Sequence, residues 1–508
     1  MSLAKEAAGS FLWATAASFG ARLLSVVSTF LLTRYLSPEA QGEVNLAYVF
    51  VSSAGIATAL GVSQYVAARP DAGRSAMFHG TVLVLGAGLL SCLLCIVAAP
   101  WAAAWLGTPR MTDYVPGLVL AHFIDRCGWV PRSLLVRQMR FRALGARVAA
   151  GELTFAASSV ALAAIGLGGH AIVWGNIARA AVGLSLLLAA TRLRDHLSPC
   201  RLEGRTFREL LSFGFPITVS QFFRLGATSW DNSFIGARFG EAAVGVYNQA
   251  YRLADLPATS VGDQLNDVLV PTFARVQDAG ARRRAFLRAA ALLALLLLPM
   301  AAGLALTARS LVAVFYPPAY AGVAPFLAVL AAISVARGFT SLSSAFLQAT
   351  GRTRRFALND ILLAACVLGL MALFATQGAV FSAAGVAIAF LGNTALMLQT
   401  LRPAGITFCD VLSAVSRPVL AIVPMGVAVV AIRAGLSSLG ASPGLSLAAQ
   451  ILCGALVYSA AAWLVAPAVS RDFLALASST LARRRRTPPP PCPAEPAIVR
   501  EGAGDPGA

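Results

Sequence analysis

Apolar stretches about as long as a bilayer is thick recur from one end of the chain to the other, and this feature restricts the fold most tightly. In lipid every backbone N–H and C=O must be satisfied within the protein, so such stretches become helices unless they alternate residue by residue as barrel strands do. They do not alternate. Fourteen candidate spans follow, at approximately 11–33, 44–66, 77–99, 114–136, 144–166, 169–190, 211–236, 243–270, 286–308, 320–348, 356–376, 379–400, 411–433 and 446–467. Each is long enough to cross roughly 30 Å of hydrocarbon. Charged residues make up 12% of the chain, against about 25% in soluble proteins. The chain is therefore predicted to be an all-α polytopic membrane protein.

The net charge of +18 points first to nucleic acid, but a basic patch needs a soluble face to sit on. The arginines instead cluster in every second loop: Arg69 and Arg74; Arg137, Arg140, Arg142 and Arg147; Arg192 to Arg208; Arg275 to Arg288; Arg352 to Arg355; and Arg402. The other loops, such as LSPEAQGE and FGEAA, are poor in base. This is the positive-inside bias, and it puts both termini in the cytoplasm. It also leaves only short outward loops, too small to carry a catalytic domain. Cys92 and Cys95 form a CxxC within an apolar run, and the four histidines form no ligand-spaced cluster. No metal, cofactor or enzymatic chemistry is expected. The first apolar run is too long for a cleavable signal peptide. The end of the chain from Arg483 is arginine- and proline-rich, a disordered composition.

Residues 238–278 are neither apolar enough for a lipid-facing helix nor polar enough for a soluble loop. Asn248, Arg252, Asp255, Thr259, Asp263 and Asn266 recur in steps of three and four, on one helix face that Pro257 interrupts. The segment also repeats an earlier one. LSPEAQGEVNLAY at 36–48 aligns without gaps with FGEAAVGVYNQAY at 239–251, an offset of 203 residues. Gly42 matches Gly245, Asn45 matches Asn248 and Tyr48 matches Tyr251. Both copies occupy the same topological position, so the duplication is parallel. Two six-helix lobes around a central cavity are expected, at 1–195 and 196–405. Two additional transmembrane helices would follow at 406–470, and a basic, proline-rich disordered cytoplasmic tail at 471–508.

Ionisable residues within spans cost about 2.5–3.5 kcal/mol each at a helix centre and mark wet cavities or pairs. Arg22, Arg224, Arg252 and Arg337 each share a helical stripe with Ser, Thr, Gln or Asn. Guanidinium forks suit phosphate oxygens. Arg22, Arg224 and Arg252, with Asn248, Asp255 and Arg337, are the candidate substrate-binding residues of the cavity; Asp231 and Glu152 are candidates for ion coupling. A structural reading competes, in which Asp125 or Glu152 pairs with Arg179, Asp231 with Arg224, and Asp255 with Arg252.

At residues 231–278, DNSFIGARFGEAAVGVYNQAYRLADLP followed by VLVPTFARVQD, the chain resembles the Wzx-like polysaccharide flippases of the multidrug/oligosaccharidyl-lipid/polysaccharide exporter superfamily. RYLSPEAQGEVNLAYVF, VRQMRFRAL and FRELLSFGFPITVSQ extend the resemblance in outline over about 1–430. It implies a bacterial inner-membrane transporter that flips a polyprenyl-pyrophosphate-linked oligosaccharide for polysaccharide biosynthesis. The implied partners are that lipid-linked oligosaccharide, membrane lipids, and a polysaccharide polymerase with its export machinery, with no nucleic acid. Positions 22 and 252 match cavity arginines of related lipid-linked precursor flippases. A multidrug antiporter on the same fold is the alternative; it would favour an acid-lined cavity for cationic drugs.

Overall fold

In the computed structural model, residues 20–69, 73–192, 194, 197–276, 278–350 and 356–485 are described, and among them there is no strand. The helices are α1 (20–35), α2 (Pro38–Ala57), α3 (Val62–Ala68), α4 (Arg74–Leu106), α5 (Met111–Cys127), α6 (Trp129–Arg137), α7 (Phe141–Ala164), α8 (His170–Ala190), α9 (Gly204–Phe239) and α10 (Glu241–Arg275). They continue as α11 (Ala279–Phe315), α12 (Val323–Leu330), α13 (Ala332–Ala349), α14 (Phe356–Phe374), α15 (Ala379–Gln399), α16 (Phe408–Leu420), α17 (Ile422–Ser438), α18 (Pro443–Val465) and α19 (Pro467–Arg485).

Seven stretches are long and apolar enough to cross a membrane, and the bent pair α12–α13 makes an eighth. The chain is a multi-pass membrane protein. The remaining long helices, α2, α5, α7, α9 and α10, carry internal charges such as Glu43, Asp125, Glu152, Asp231 and Asp255. Their neighbours take up the polar faces that lipid would reject.

Several spans are broken. Thr58 donates to Ala54 O, and Leu60 and Gly61 take φ of 54° and 59°, ending α2 and starting α3. Arg126 is fully buried and seals this break. Its Nη2 donates to Gly55 O at 2.8 Å, its Nη1 to Thr58 Oγ1 at 2.9 Å, and its guanidinium lies over the Trp129 ring. A cation at the last carbonyls of a helix complements both their lone pairs and the dipole. Pro257 does not interrupt α10, which runs unbroken through it; neighbouring helices in a membrane bundle let a proline remain within a helix. Residues 471–485, assigned by composition to a disordered tail, form most of α19, and Arg288 pairs with Asp472 at 2.7 Å to hold it on α11. The proline run begins only at Pro488, beyond the described residues.

The two copies of the repeat meet. α2 packs lengthwise on α10, and the crossing is reciprocal. A Cβ on Gly42 would lie 1.9 Å from Glu241 O, and one on Gly245 would lie 2.0 Å from Pro38 O. Only glycine allows this approach from either side. Gln249 donates to Gln41 across the seam. Tyr320 donates to Leu36 O at 2.9 Å, and Phe30 stacks on Phe315 at 5.1 Å. At its other end, beside the Leu60–Gly61 break, α2 meets α9: a Cβ on Gly214 would sit 1.8 Å from Leu60 O. Glu209 then takes Arg69 Nη1 at 2.8 Å and Tyr65 OH at 2.9 Å.

Candidate functional site: a line of arginines across three linked cavities

Three cavities adjoin one another. The first, about 250 Å³, is enclosed by α2, α5, α7 and α8 and includes Asp125, Arg147, Glu152 and Arg179. The second, about 170 Å³, shares Glu152, Asn176 and Arg179 with it and reaches Asn248 and Arg252. The third, about 260 Å³, shares Ser25, Thr29, Gln249 and Arg252 with the second and ends at Arg22, Asp255 and Tyr316. Arginines thus follow one another from α7 and α8 to α10 and α1.

Their pairing differs along the line. Arg147 Nη2 pairs with Asp125, and Arg179 Nη1 with Glu152 at 3.2 Å. Arg337 of α13 pairs with Asp255 at 2.5 Å. Arg22 donates from Nη1 to the Thr259 carbonyl. Arg252 is exposed to the cavities and has no carboxylate among the described residues. Its Nε donates to Asn248 Oδ1 at 3.0 Å, and its Nη1 and Nη2 make no hydrogen bond among the described residues. Asn248 is held in turn. Its Nδ2 donates to Asn232 Oδ1 at 3.3 Å, and its repeat mate Asn45 donates to the same oxygen at 2.9 Å. Asn232 donates its backbone N–H and its Nδ2 to Asp231 Oδ1, and Tyr247 OH donates to Asp231 Oδ2 at 2.5 Å. The chain of bonds runs from a fully buried carboxylate to one end of the Arg252 fork.

Of the residues singled out by sequence, Arg22, Asn248, Arg252, Asp255 and Glu152 line the cavities, and Arg337 joins them through Asp255. Arg224 stands apart. It is exposed on α9 and lies near Asp360, which accepts a 2.8 Å bond from Ser220. Asp231 is fully buried and turned to Tyr247 and Asn232. Of the local pairings, Glu152 with Arg179 is present, whereas Asp125 takes Arg147 and Asp255 takes Arg337, 82 residues on. The side chains of Asp263 and Asn266 lie outside the described residues. Arg147 and Arg179 were missed as site residues, the first because it reads as part of a basic loop. A glycine four residues beyond each arginine was the available signal.

The fold is that of polytopic membrane transporters. The chain superposes on a structure of the lipid II flippase MurJ in an inward closed conformation, with a TM-score of 0.70 at 14% identity, covering 91% of this chain and 100% of that one. It also superposes on an inward-facing multidrug resistance MATE family transporter of the MOP superfamily, with a TM-score of 0.61 at 16% identity over 77% and 95% of the two chains. Identities this low speak for the fold alone. Residues 31–325 match the family described as polysaccharide biosynthesis protein, and the chain belongs to that family. Its relatives include the succinoglycan biosynthesis transport protein ExoT of Rhizobium meliloti (strain 1021), 27% identical over 346 residues, 66% of this chain and 67% of that one. The lipopolysaccharide biosynthesis protein WzxC of Escherichia coli (strain K12) is 21% identical over 353 residues, 69% and 72% of the two chains. The resemblance read from the sequence is borne out.

Proposed function

We propose that the protein flips a polyprenyl-pyrophosphate-linked oligosaccharide from the cytoplasmic to the periplasmic leaflet of a bacterial inner membrane. The saccharide would be destined for exopolysaccharide, capsule or O-antigen. The observation that carries this reading is Arg252: a guanidinium with two donor nitrogens unengaged among the described residues, in the second and third cavities, the latter also lined by Arg22. A planar fork with free donors suits a diphosphate. A multidrug antiporter is the weaker reading, because the carboxylates lining the cavities, Asp125, Glu152 and Asp255, are each paired with an arginine.

In this proposal fourteen spans form two six-helix lobes, 1–195 and 196–405, with both termini cytoplasmic. The reciprocal Gly42–Gly245 crossing supports a pseudo-two-fold axis between them. The α2–α10 seam would be the outer closure, and the diphosphate would enter from the arginine-rich side while the polyprenyl tail stayed in lipid. Parting of the seam would then release the saccharide outward without covalent chemistry. The helices beyond 406 would be an appendage to this core, and a polymerase with its export machinery would receive the saccharide. In a strain lacking its flippase, Arg252→Ala and Arg22→Ala should abolish polysaccharide export while leaving membrane insertion intact. Full complementation by both variants would sink the reading.

A further inference from the structure

Two helices of the first half carry the same pattern, an arginine four positions before a glycine: RVAAG at 147–151 in α7 and RAAVG at 179–183 in α8. The helices pack side by side, and the patterns interlock. A Cβ on Gly151 would lie 3.3 Å from Arg179 Cγ, and one on Gly183 would lie 3.4 Å from Arg147 Nε. Each glycine seats the other helix's arginine stem, and both arginines line the first cavity. There they meet carboxylates from two elements, Asp125 of α5 and Glu152 of α7. Asn176 Oδ1 accepts from Arg179 Nη2 at 2.8 Å. Arg147 Nε is buried without a partner.

The lining therefore has two cations and two anions in contact. An anionic ligand would face both carboxylates, and a cationic one both guanidinium groups. An apolar ligand would strip water from all four. A neutral ring bearing adjacent hydroxyls satisfies each of them: the hydroxyls donate to Asp125 and Glu152, which keep lone pairs beyond their ion pairs, and accept from the guanidinium edges. Tyr48, 45% exposed, also lines the cavity and brings an aromatic side chain to it. The cavity, at about 250 Å³, falls below the roughly 300–1,000 Å³ of drug-sized sites, a size for one ring rather than a chain.

We propose that this cavity is a carbohydrate subsite that binds one neutral sugar ring. The charges thus divide the work: the neutralised arginines of α7 and α8 read hydroxyls, and the unneutralised Arg252 reads phosphate. The inference rests on the flippase reading for the origin of the sugar, though not for its binding.

Purified full-length protein in nanodiscs, titrated with D-glucose, D-galactose, D-glucuronate and inorganic pyrophosphate under saturation-transfer NMR, tests it. At least one hexose should bind saturably in the millimolar range, and glucuronate more weakly. Glu152→Gln and Asp125→Asn should weaken the hexose by about tenfold or more, and Asp125→Asn, which lines the first cavity and not the second, should leave pyrophosphate unaffected. Ser52→Leu, which fills the cavity and leaves all four charges in place, should block the hexose even if a charge variant misfolds. No saturable hexose signal, glucuronate binding as tightly as the hexoses, or hexose binding unchanged by Ser52→Leu would each overturn the subsite. Loss of pyrophosphate binding in Arg252→Ala reports separately on the flippase reading, whose failure leaves the hexose result standing.

Discussion

Replacing Gly245 by alanine tests the seam. The new methyl would start 2.0 Å from Pro38 O, 2.7 Å from its carbonyl carbon and 3.0 Å from its Cα. All three atoms are backbone, so no side chain can rotate away. Ordinary contact begins near 3.4 Å, so α2 and α10 must separate by about 1.4 Å at that point. Overpacking of this kind costs about 1–3 kcal/mol. If the seam is the outer closure proposed above, the strain falls on the closed form alone, and the open form should gain by roughly 5–150-fold. The assay is the labelling rate of Asn45→Cys by a membrane-impermeant thiol reagent from outside intact cells, in a background without native cysteines. Gly42→Ala should act alike, since its Cβ would lie 1.9 Å from Glu241 O. One separation relieves both clashes, so the double variant should label little faster than the stronger single one. Unchanged labelling in both single variants, or fully additive effects in the double, would refute the reasoning.

Asp231→Asn should lower the thermal midpoint of the purified protein, because a fully buried carboxylate accepting from Tyr247 and Asn232 is exchanged for a group that accepts at one atom only; bonds to a charged group are worth about 1.5–3 kcal/mol. A variant of unchanged midpoint and lost transport would favour ion coupling at Asp231 instead. Asp410→Ala removes the acceptor of the Thr407 N–H and the ion-pair partner of Arg283, bonds of 2.9 and 2.7 Å that hold the entry to α16 on α11. Trypsin should then cut faster at Arg402, and an unchanged cleavage rate would show that the cap does not hold this segment.

Much of this arrangement was legible before any coordinates. The offset of 203 residues paired Gly42 with Gly245 and Asn45 with Asn248, and the first pair meets backbone to backbone while the second shares one oxygen of Asn232. The stripe on α10 put Asn248, Arg252 and Asp255 on a common wet face because helical spacing alone requires it. Spacing does not say what a stripe faces. Arg224 shares a stripe with Gln221 and Thr228 just as Arg22 does with Ser25 and Thr29, yet α9 turns it away from the cavities. Local proximity also misled: Asp255 sits one turn from Arg252 but takes Arg337 from α13, a choice set by tertiary packing. The break at Leu60 and Gly61 was invisible for the same reason. Its setting is supplied by Arg126 from α5 and Gly214 from α9, neither of them near in sequence.

That break has a mechanical consequence. The rod made of α2 and α3 is gripped at Gly42 by α10 and at Gly61 by α9, and both grips belong to the second half of the chain. A rod fastened at two points to one body cannot swing away from it without letting go of one. If the Gly42 end lets go, α3 stays behind, tethered through Tyr65 and Arg69 to Glu209. The hinge then falls at residues 58–61, inside what hydropathy reads as one span. The border between moving parts would cut through the second span of the first half, and α3 with its flank, residues 62–69, would travel as cargo of the opposite half.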